Sequence, residues 1–189
     1  MPLRVSVEKK EEKERVRLGL LRAALELAAA HGFASLGLRE VAREGGIAPT
    51  SFYRHFADME ELGTTLIKEL ASPVLRGLAQ RASAAPRDEV AAALVDDAFA
   101  ALAGDPALMR FAIAECTGAY ASLRALLRGQ QTELARALQA ACSTPPWAAE
   151  AAACVLFDVC AKALDEPPDR RGALRDPAIS AIQQLLRAS

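Results

Sequence analysis

The stretch Leu38-Arg39-Glu40-Val41-Ala42-Arg43-Glu44-Gly45-Gly46-Ile47-Ala48-Pro49-Thr50-Ser51-Phe52-Tyr53-Arg54-His55-Phe56 decides the fold. Helix-forming residues fill 38–44, two glycines break the run, and Pro49 opens a second run to Phe56. Proline suits a first helical position, because its ring presets φ and the N–H it lacks has no partner there. Two short helices joined by so tight a turn must cross closely. That crossing needs a small residue on the first helix and glycine in the turn, and Ala42 and Gly46 supply them. Val41, Ile47, Phe52 and Phe56 offer an apolar seam for a preceding helix. The spacing fits a helix-turn-helix whose second helix can lie in a DNA major groove. It fits any close helical hairpin as well, so both readings stay open at this point.

Outward from this segment the chain reads as helix throughout. Ala, Leu, Glu and Arg dominate, and no run alternates Val, Ile, Thr and aromatics as a half-buried strand would. A first helix is expected from about Glu12 to His31, with Leu20, Leu21, Ala24, Leu27 and Ala28 on one stripe and Gly32 as a left-handed cap. Asp58 with Glu61 forms a capping-box pair for a long helix, which Pro73 should kink or interrupt. Later helices are expected near 86–103, 106–114, 119–141, 145–165 and 176–188, each with proline in its first turn except the third. The fold class is all-α.

The 189 residues carry 23 Lys and Arg against 24 Asp and Glu, and 52% are hydrophobic. That balance excludes a disordered tail and allows a sizeable core without disulfides or metal. No apolar run reaches the length of a membrane span. The mixed-charge run from Glu8 to Arg15 stands where a secretory signal would need apolar residues, so a cytoplasmic protein is expected. Cys116, Cys142, Cys154 and Cys160 show no metal-ligand spacing, and His31 and His55 lie far from them. They read as small buried residues rather than ligands or disulfides.

Leu20-Leu21-x-Ala23-Ala24-x-x-Leu27, Gly32-Phe33, Leu38 to Ala42, Gly46-Ile47, Ser51 to Phe56 and Asp58-x-Glu60-x-Leu62 together resemble the N-terminal domain of TetR-family transcriptional regulators. Within that family, Phe33-Ala34-Ser35-Leu36, Leu38 to Glu44, Gly46 to Phe56 and Glu61-Leu62-Gly63 resemble repressors of unsaturated fatty acid synthesis, with fainter echoes at Asp105-Pro106, Glu115 to Gly118, Ala163 to Asp165 and Arg170-Arg171. The resemblance implies a three-helix DNA-binding domain over residues 1–58. It implies an antiparallel helical ligand-binding and dimerisation domain over 59–189. Arg39 matches a position that reaches a base edge, where its guanidinium could bind guanine through two hydrogen bonds. Thr50, Ser51, Tyr53 and His55 match phosphate-binding positions. Pro49 could pack on a thymine methyl, and Arg54 is a further phosphate or base candidate. Two residues depart from the pattern. Met59 stands where many members have lysine, and Gly37 stands where Thr or Ser usually caps the second helix. Over residues 1–70, 11 cations balance 11 acids, so a basic face requires the acids to be engaged elsewhere.

Residues 71–189 hold no phosphate loop, metal spacing or nucleophile with a base, so no enzyme is expected; Asp96-Asp97 and Asp165-Glu166 read as solvated carboxylates. Ala148, Ala152, Val155 and Val159, with Ile179, Ile182 and Leu186, make small and apolar stripes on the last two helices. The resemblance implies that these meet a symmetry mate. Phe99, Leu102, Met109, Phe111, Ile113, Cys116, Tyr120, Leu123, Leu127, Phe157 and Cys160 could line an apolar pocket. The family parallel implies a long-chain acyl thioester there as effector, and no cofactor. The expected partners are double-stranded DNA, a second copy of the chain and this small apolar or acyl effector. The alternative reading is a helical ligand carrier or interaction module that has kept the hairpin but lost DNA binding.

Overall fold

The structure, a computed structural model, describes the backbone of residues 2–188 and the side chains of residues 9–188. Glu8, the start of the charged run, therefore has its side chain outside the described residues. The first helix, α1, spans Pro2–His31, starting ten residues before the expected Glu12. The charged run extends it as a solvated helix, with Arg15 bonded to Glu12 at 2.7 Å and Arg17 paired with Glu14 at 3.3 Å, both one turn apart. Gly32 ends α1 with φ 79° but ψ 139°, so its positive φ is used in an extended rather than a left-handed helical conformation.

A short 3₁₀ turn, Phe33–Ser35, leads into α2 (Leu38–Glu44) and α3 (Pro49–Phe52). The expected second run to Phe56 divides. Beyond Phe52 the chain continues as turns, held by the N–H groups of His55 and Phe56 on the Phe52 carbonyl at 2.8 and 3.1 Å. Gly37 precedes α2 without a side-chain cap; its carbonyl still accepts from Glu40 and Val41. The helix α4 (Met59–Leu66) begins as the sequence predicts: Asp58 accepts from the Glu61 N–H at 2.8 Å, and Glu61 accepts from Ala57.

Pro73 does not break the helix that follows. Ile67–Ala71 widen into a π-helical turn, and α5 (Ser72–Ala84) continues beyond it. A local π turn re-routes the backbone hydrogen bonding around the donor that proline lacks, so the helix continues past Pro73. The remaining helices are α6 (Val90–Gly104), α7 (Pro106–Glu115), α8 (Ala121–Cys142), α9 (Pro146–Asp165) and α10 (Arg175–Leu186). Pro86 stands ahead of α6 in a turn rather than inside its first turn. No strand occurs among the described residues.

The helices α5, α8 and α9 pack in sequence, with α6 and α10 against them and α7 bridging to α1. One apolar core runs continuously from Leu20 of α1 to Leu186 of α10. Of the carboxylates expected in solvent, Asp96, Asp165 and Glu166 are exposed and Asp97 is half-buried, and three of the four also cross-link helices at the surface: Asp96 to Arg175, Asp97 to Arg81 and Asp165 to Arg110. Among the described residues, no helix is long and apolar enough to cross a membrane.

Candidate nucleic-acid interface

The turn between α2 and α3 shows why its glycines are needed. Gly46 has φ 70°, which side-chain-bearing residues rarely adopt. With Gly45 as C-cap, the Ile47 N–H reaches the Ala42 carbonyl at 2.9 Å and the Gly46 N–H reaches the Arg43 carbonyl at 3.1 Å. This is the Schellman arrangement, which satisfies the last carbonyls of α2 and turns the chain sharply toward α3. At Gly45 a Cβ would stand 2.8 Å from the side chain of Leu20, so the turn lies directly on α1. Val41, Ala42, Phe52 and Phe56 are buried against α1, as the seam requires.

With Phe52 held inward, the rest of α3 is turned out. Pro49, Thr50, Tyr53 and Arg54 are exposed, while Ser51 and His55 are half-buried. Tyr53 is 64% exposed and touches Phe52 only edge-on, with ring centroids 6.1 Å apart, so it does not belong to the seam. Arg39 is also exposed, and it lines one open groove of about 640 Å³ with Glu40, Arg43, Gly46, Ile47 and Pro49. The groove thus collects the α2 arginines and the leading residue of α3 on one face. Arg43 is the member of this face that the sequence reading left out of the site. Its spacing of four from Arg39 on one helix was the available signal. Met59 packs against the core and does not join this surface.

Part of the balanced charge of the N-terminal segment is taken up by pairing. Arg15 is held by Glu12, Arg17 by Glu14 and Glu69, and Arg22 by Glu26 and Asp105. Glu60 accepts from Ser122, and Glu61 caps α4. Among the described residues, Arg39, Arg43 and Arg54 have no carboxylate within ion-pair distance, so the outward face keeps three uncommitted cations, beside Glu40 and Glu44 of α2, which are also outside any ion pair. Burial lowers the His55 pKa, and the charges of Lys13, Arg17 and Arg54 lower it further, so the ring favours its neutral form; its Nδ1 is buried without a partner.

Two ion pairs carry this face's supporting helix onto the rest of the molecule. Arg17 reaches Glu69 in the π turn at 2.5 Å, and Arg22 reaches Asp105 at 2.7 Å. Burial raises the Asp105 pKa, but the hydrogen bonds from Arg22 and the Leu108 N–H outweigh it and leave a net lowering. Asp105 therefore both caps α7 and grips α1.

The candidate ligand residues divide into three groups. Met109, Ile113, Phe157 and Cys160 line a wholly apolar cavity between α5, α7 and α9, whose other walls are Leu75, Leu78, Ala112 and Leu156. Its volume is about 10 Å³, too small for an acyl chain in this conformation. Phe111, Tyr120 and Leu123 surround Phe33 and Gly63 instead. Leu102 and Leu127 are ordinary core, Phe99 is half-buried at its edge, and Cys116 donates to the Ala112 carbonyl. The i,i+3 pair Leu75 and Leu78 on α5 was the missed signal. Burial pushes the Cys116 thiol up to about 11 and the Cys160 thiol up to about 12, so both stay neutral. Cys142 is also buried; Cys154 departs from expectation by being exposed. Among the described residues, no three His, Cys, Asp or Glu side chains are grouped to hold a metal ion.

The stripe on α9 and α10 needs correction. Ala148, Ala152, Ile182 and Leu186 are between 0% and 4% exposed within one chain, because they pack into its own core. Only Val155, Val159 and Ile179 are half-exposed, and Trp147, at 59%, is the large apolar side chain open on α9. These four residues therefore face the chain's own core rather than an open surface.

Residues 20–63 match the sequence model of the bacterial regulatory proteins of the tetR family. Solved structures extend the likeness over nearly the whole chain. The fatty acid degradation regulator FadR of Bacillus halodurans is 20% identical, covering 91% of this chain and 95% of that one with a TM-score of 0.71. A TetR-family transcription regulator from Marinobacter aquaeolei VT8 is 15% identical over 93% and 97%, also at 0.71. FadR from Bacillus subtilis, solved in complex with stearoyl-CoA, is 18% identical over 91% and 98%, at 0.66. The matched segment contains the whole α2–turn–α3 unit, and the helices behind it carry the fold of these regulators. Residues 20–63 therefore carry the helix-turn-helix segment that the tetR-family model describes, within a chain that shares the fold of these solved regulators.

Proposed function

We propose that the chain is an effector-controlled repressor that binds a palindromic operator as a homodimer. Residues 1–58 form its DNA-reading unit and residues 59–189 its ligand-binding and dimerisation unit. The observation that carries this reading is the outward face of α2, α3 and the turn after it, where Arg39, Arg43 and Arg54 have no ion-pair partner among the described residues and stand beside exposed Thr50 and Tyr53. On this reading Arg39 donates to a base edge. Thr50, Ser51, Tyr53, Arg54 and His55 hold phosphates, and Pro49 meets a thymine methyl. The open surface of α9 and α10 around Val155, Val159 and Ile179 meets the same surface of a second copy. That two-fold pairing places the α3 helices about 35 Å apart, one turn of DNA.

The effector is an acyl thioester that opens the apolar interior between α5, α7 and α9. The likeness to FadR from Bacillus subtilis, solved with stearoyl-CoA, supports that class. The deciding measurement is binding to the DNA upstream of the chain's own gene across a salt series. A regulator gives a steep salt slope and prefers one palindrome. A shallow, sequence-blind response would overturn the proposal in favour of a ligand carrier.

A further inference from the structure

Arg87, in the turn before α6, and Arg187, just past the end of α10, line one cavity of about 210 Å³. It lies at the end of α8 marked by Cys142, opposite the end where Ser122 meets Glu60 of α4. Its floor is Cys142 and Leu186, which are 1% and 4% exposed, and its remaining polar walls are Asp88 and Gln183. Among the described residues, neither guanidinium has a carboxylate within ion-pair distance. By contrast, Arg81 of α5 and Arg175 at the start of α10 are both taken, by Asp97 and by Asp96 with Asp176. The lining thus sets two cations against one anion over an apolar floor. Burial raises the Cys142 thiol pKa, although the nearby Arg87 charge opposes the shift, so the floor stays uncharged.

We infer that this cavity binds a small monoanionic amphiphile, a carboxylate on a short hydrocarbon or aromatic body. Two guanidinium groups can share one carboxylate through charge-assisted hydrogen bonds, and Gln183 adds an amide donor. One negative charge balances the excess cation; a second would meet Asp88. A cavity of this size equals about seven waters of liquid volume, which suits a six-carbon acid and is too small to enclose a long acyl chain. The site lies apart from the α5–α7–α9 interior and from the α2–α3 face, and it requires neither DNA binding nor the acyl effector.

Calorimetric titration of the full chain with hexanoate, hexylamine and sulfate, each at matched ionic strength, tests it. Hexanoate should bind, hexylamine should not, and sulfate should bind at least tenfold more weakly than hexanoate. The Arg87→Gln, Arg187→Gln double variant, altered only at exposed positions, should weaken hexanoate at least tenfold while its melting temperature without ligand stays unchanged. Leu186→Ala should weaken hexanoate but not acetate. Equal binding of hexylamine, sulfate as strong as hexanoate, no heat with hexanoate at millimolar concentration, or full binding by the double variant would each overturn the assignment.

Discussion

The rings of Phe33 and Phe111 meet almost at right angles, with centroids 5.3 Å apart. Phe33 belongs to the turn between α1 and α2 and Phe111 to α7, so this contact joins the α1–α3 segment to the helical body. Tyr120 packs on the same ring at 5.7 Å, and the backbone of Gly63 in α4 lies directly against it. An effector that displaced Phe111 or Tyr120 would have to move Phe33 as well. Close-packed aromatic contacts re-seat rather than stretch, so a displacement at one ring is passed to the next.

Gly63 tests that seam. A Cβ there would stand 2.8 Å from the Phe33 ring and 2.9 Å from Leu123, both fully buried. Overpacking of this kind costs about 1–3 kcal/mol. Gly63→Ala should therefore lower the melting temperature by roughly 2–4 °C for each kcal/mol lost. An unchanged melting temperature would show that the seam has slack and cannot transmit a displacement.

Arg39 and Tyr53 should separate base reading from phosphate holding. Arg39→Ala is expected to cost about 1–3 kcal/mol of operator binding and to relax discrimination at one base position per half-site. Tyr53→Phe should weaken all sequences alike with no change in stability, since the ring is exposed and only its hydroxyl is lost. Competition binding against single-base operator variants reads both. Uniform weakening by Arg39→Ala would make it a phosphate contact, and undiminished binding by Tyr53→Phe would remove Tyr53 from the interface.

Much of this was legible in the sequence because it rests on local rules. The Asp58–Glu61 cap, the Gly46 turn and the inward set Val41, Ala42, Phe52 and Phe56 follow from hydrogen-bonding and volume requirements within a few residues. The π turn before Pro73 was not legible, because proline announces a lost hydrogen bond but not how the backbone re-routes it. Nor was the phase of the α9 stripe. Small residues at helical spacing say that something approaches closely, and only the packing shows that it is α10 and the chain's own core. Glu115 was missed as well; a lone glutamate at a helix end gives no sign that it will be buried.

That glutamate is 4% exposed, its Oε2 lacks a partner, and it sits beneath Gly118, where a Cβ would collide with the carboxyl. Burial raises its pKa, and the Arg124 charge opposes the shift only in part. A carboxyl whose folded pKa is raised favours the folded state fully below the ordinary glutamate range. That contribution is lost as pH rises through the folded value. Glu115→Gln keeps the shape and removes the charge. Its melting temperature should match the parent's near pH 4 and exceed it increasingly toward pH 8. Parallel curves across that range would mean the carboxylate is already accommodated.

The acyl reading makes its own demand on the interior. With only about 10 Å³ between Leu78, Met109, Leu156 and Cys160, a long chain can enter only by separating α5, α7 and α9. Binding must therefore prefer an opened state, and only that preference can move the α2–α3 face. Saturating long-chain acyl thioester should raise the melting temperature and change operator affinity by a coupling of about 1–3 kcal/mol. Because Phe33 sits on Phe111, Phe33→Leu should keep the thermal shift but shrink the effect on operator binding. A thioester that changes neither quantity would eliminate this effector class while leaving the DNA-binding proposal intact. A full operator response in Phe33→Leu would instead send the coupling through the Arg22–Asp105 and Arg17–Glu69 pairs.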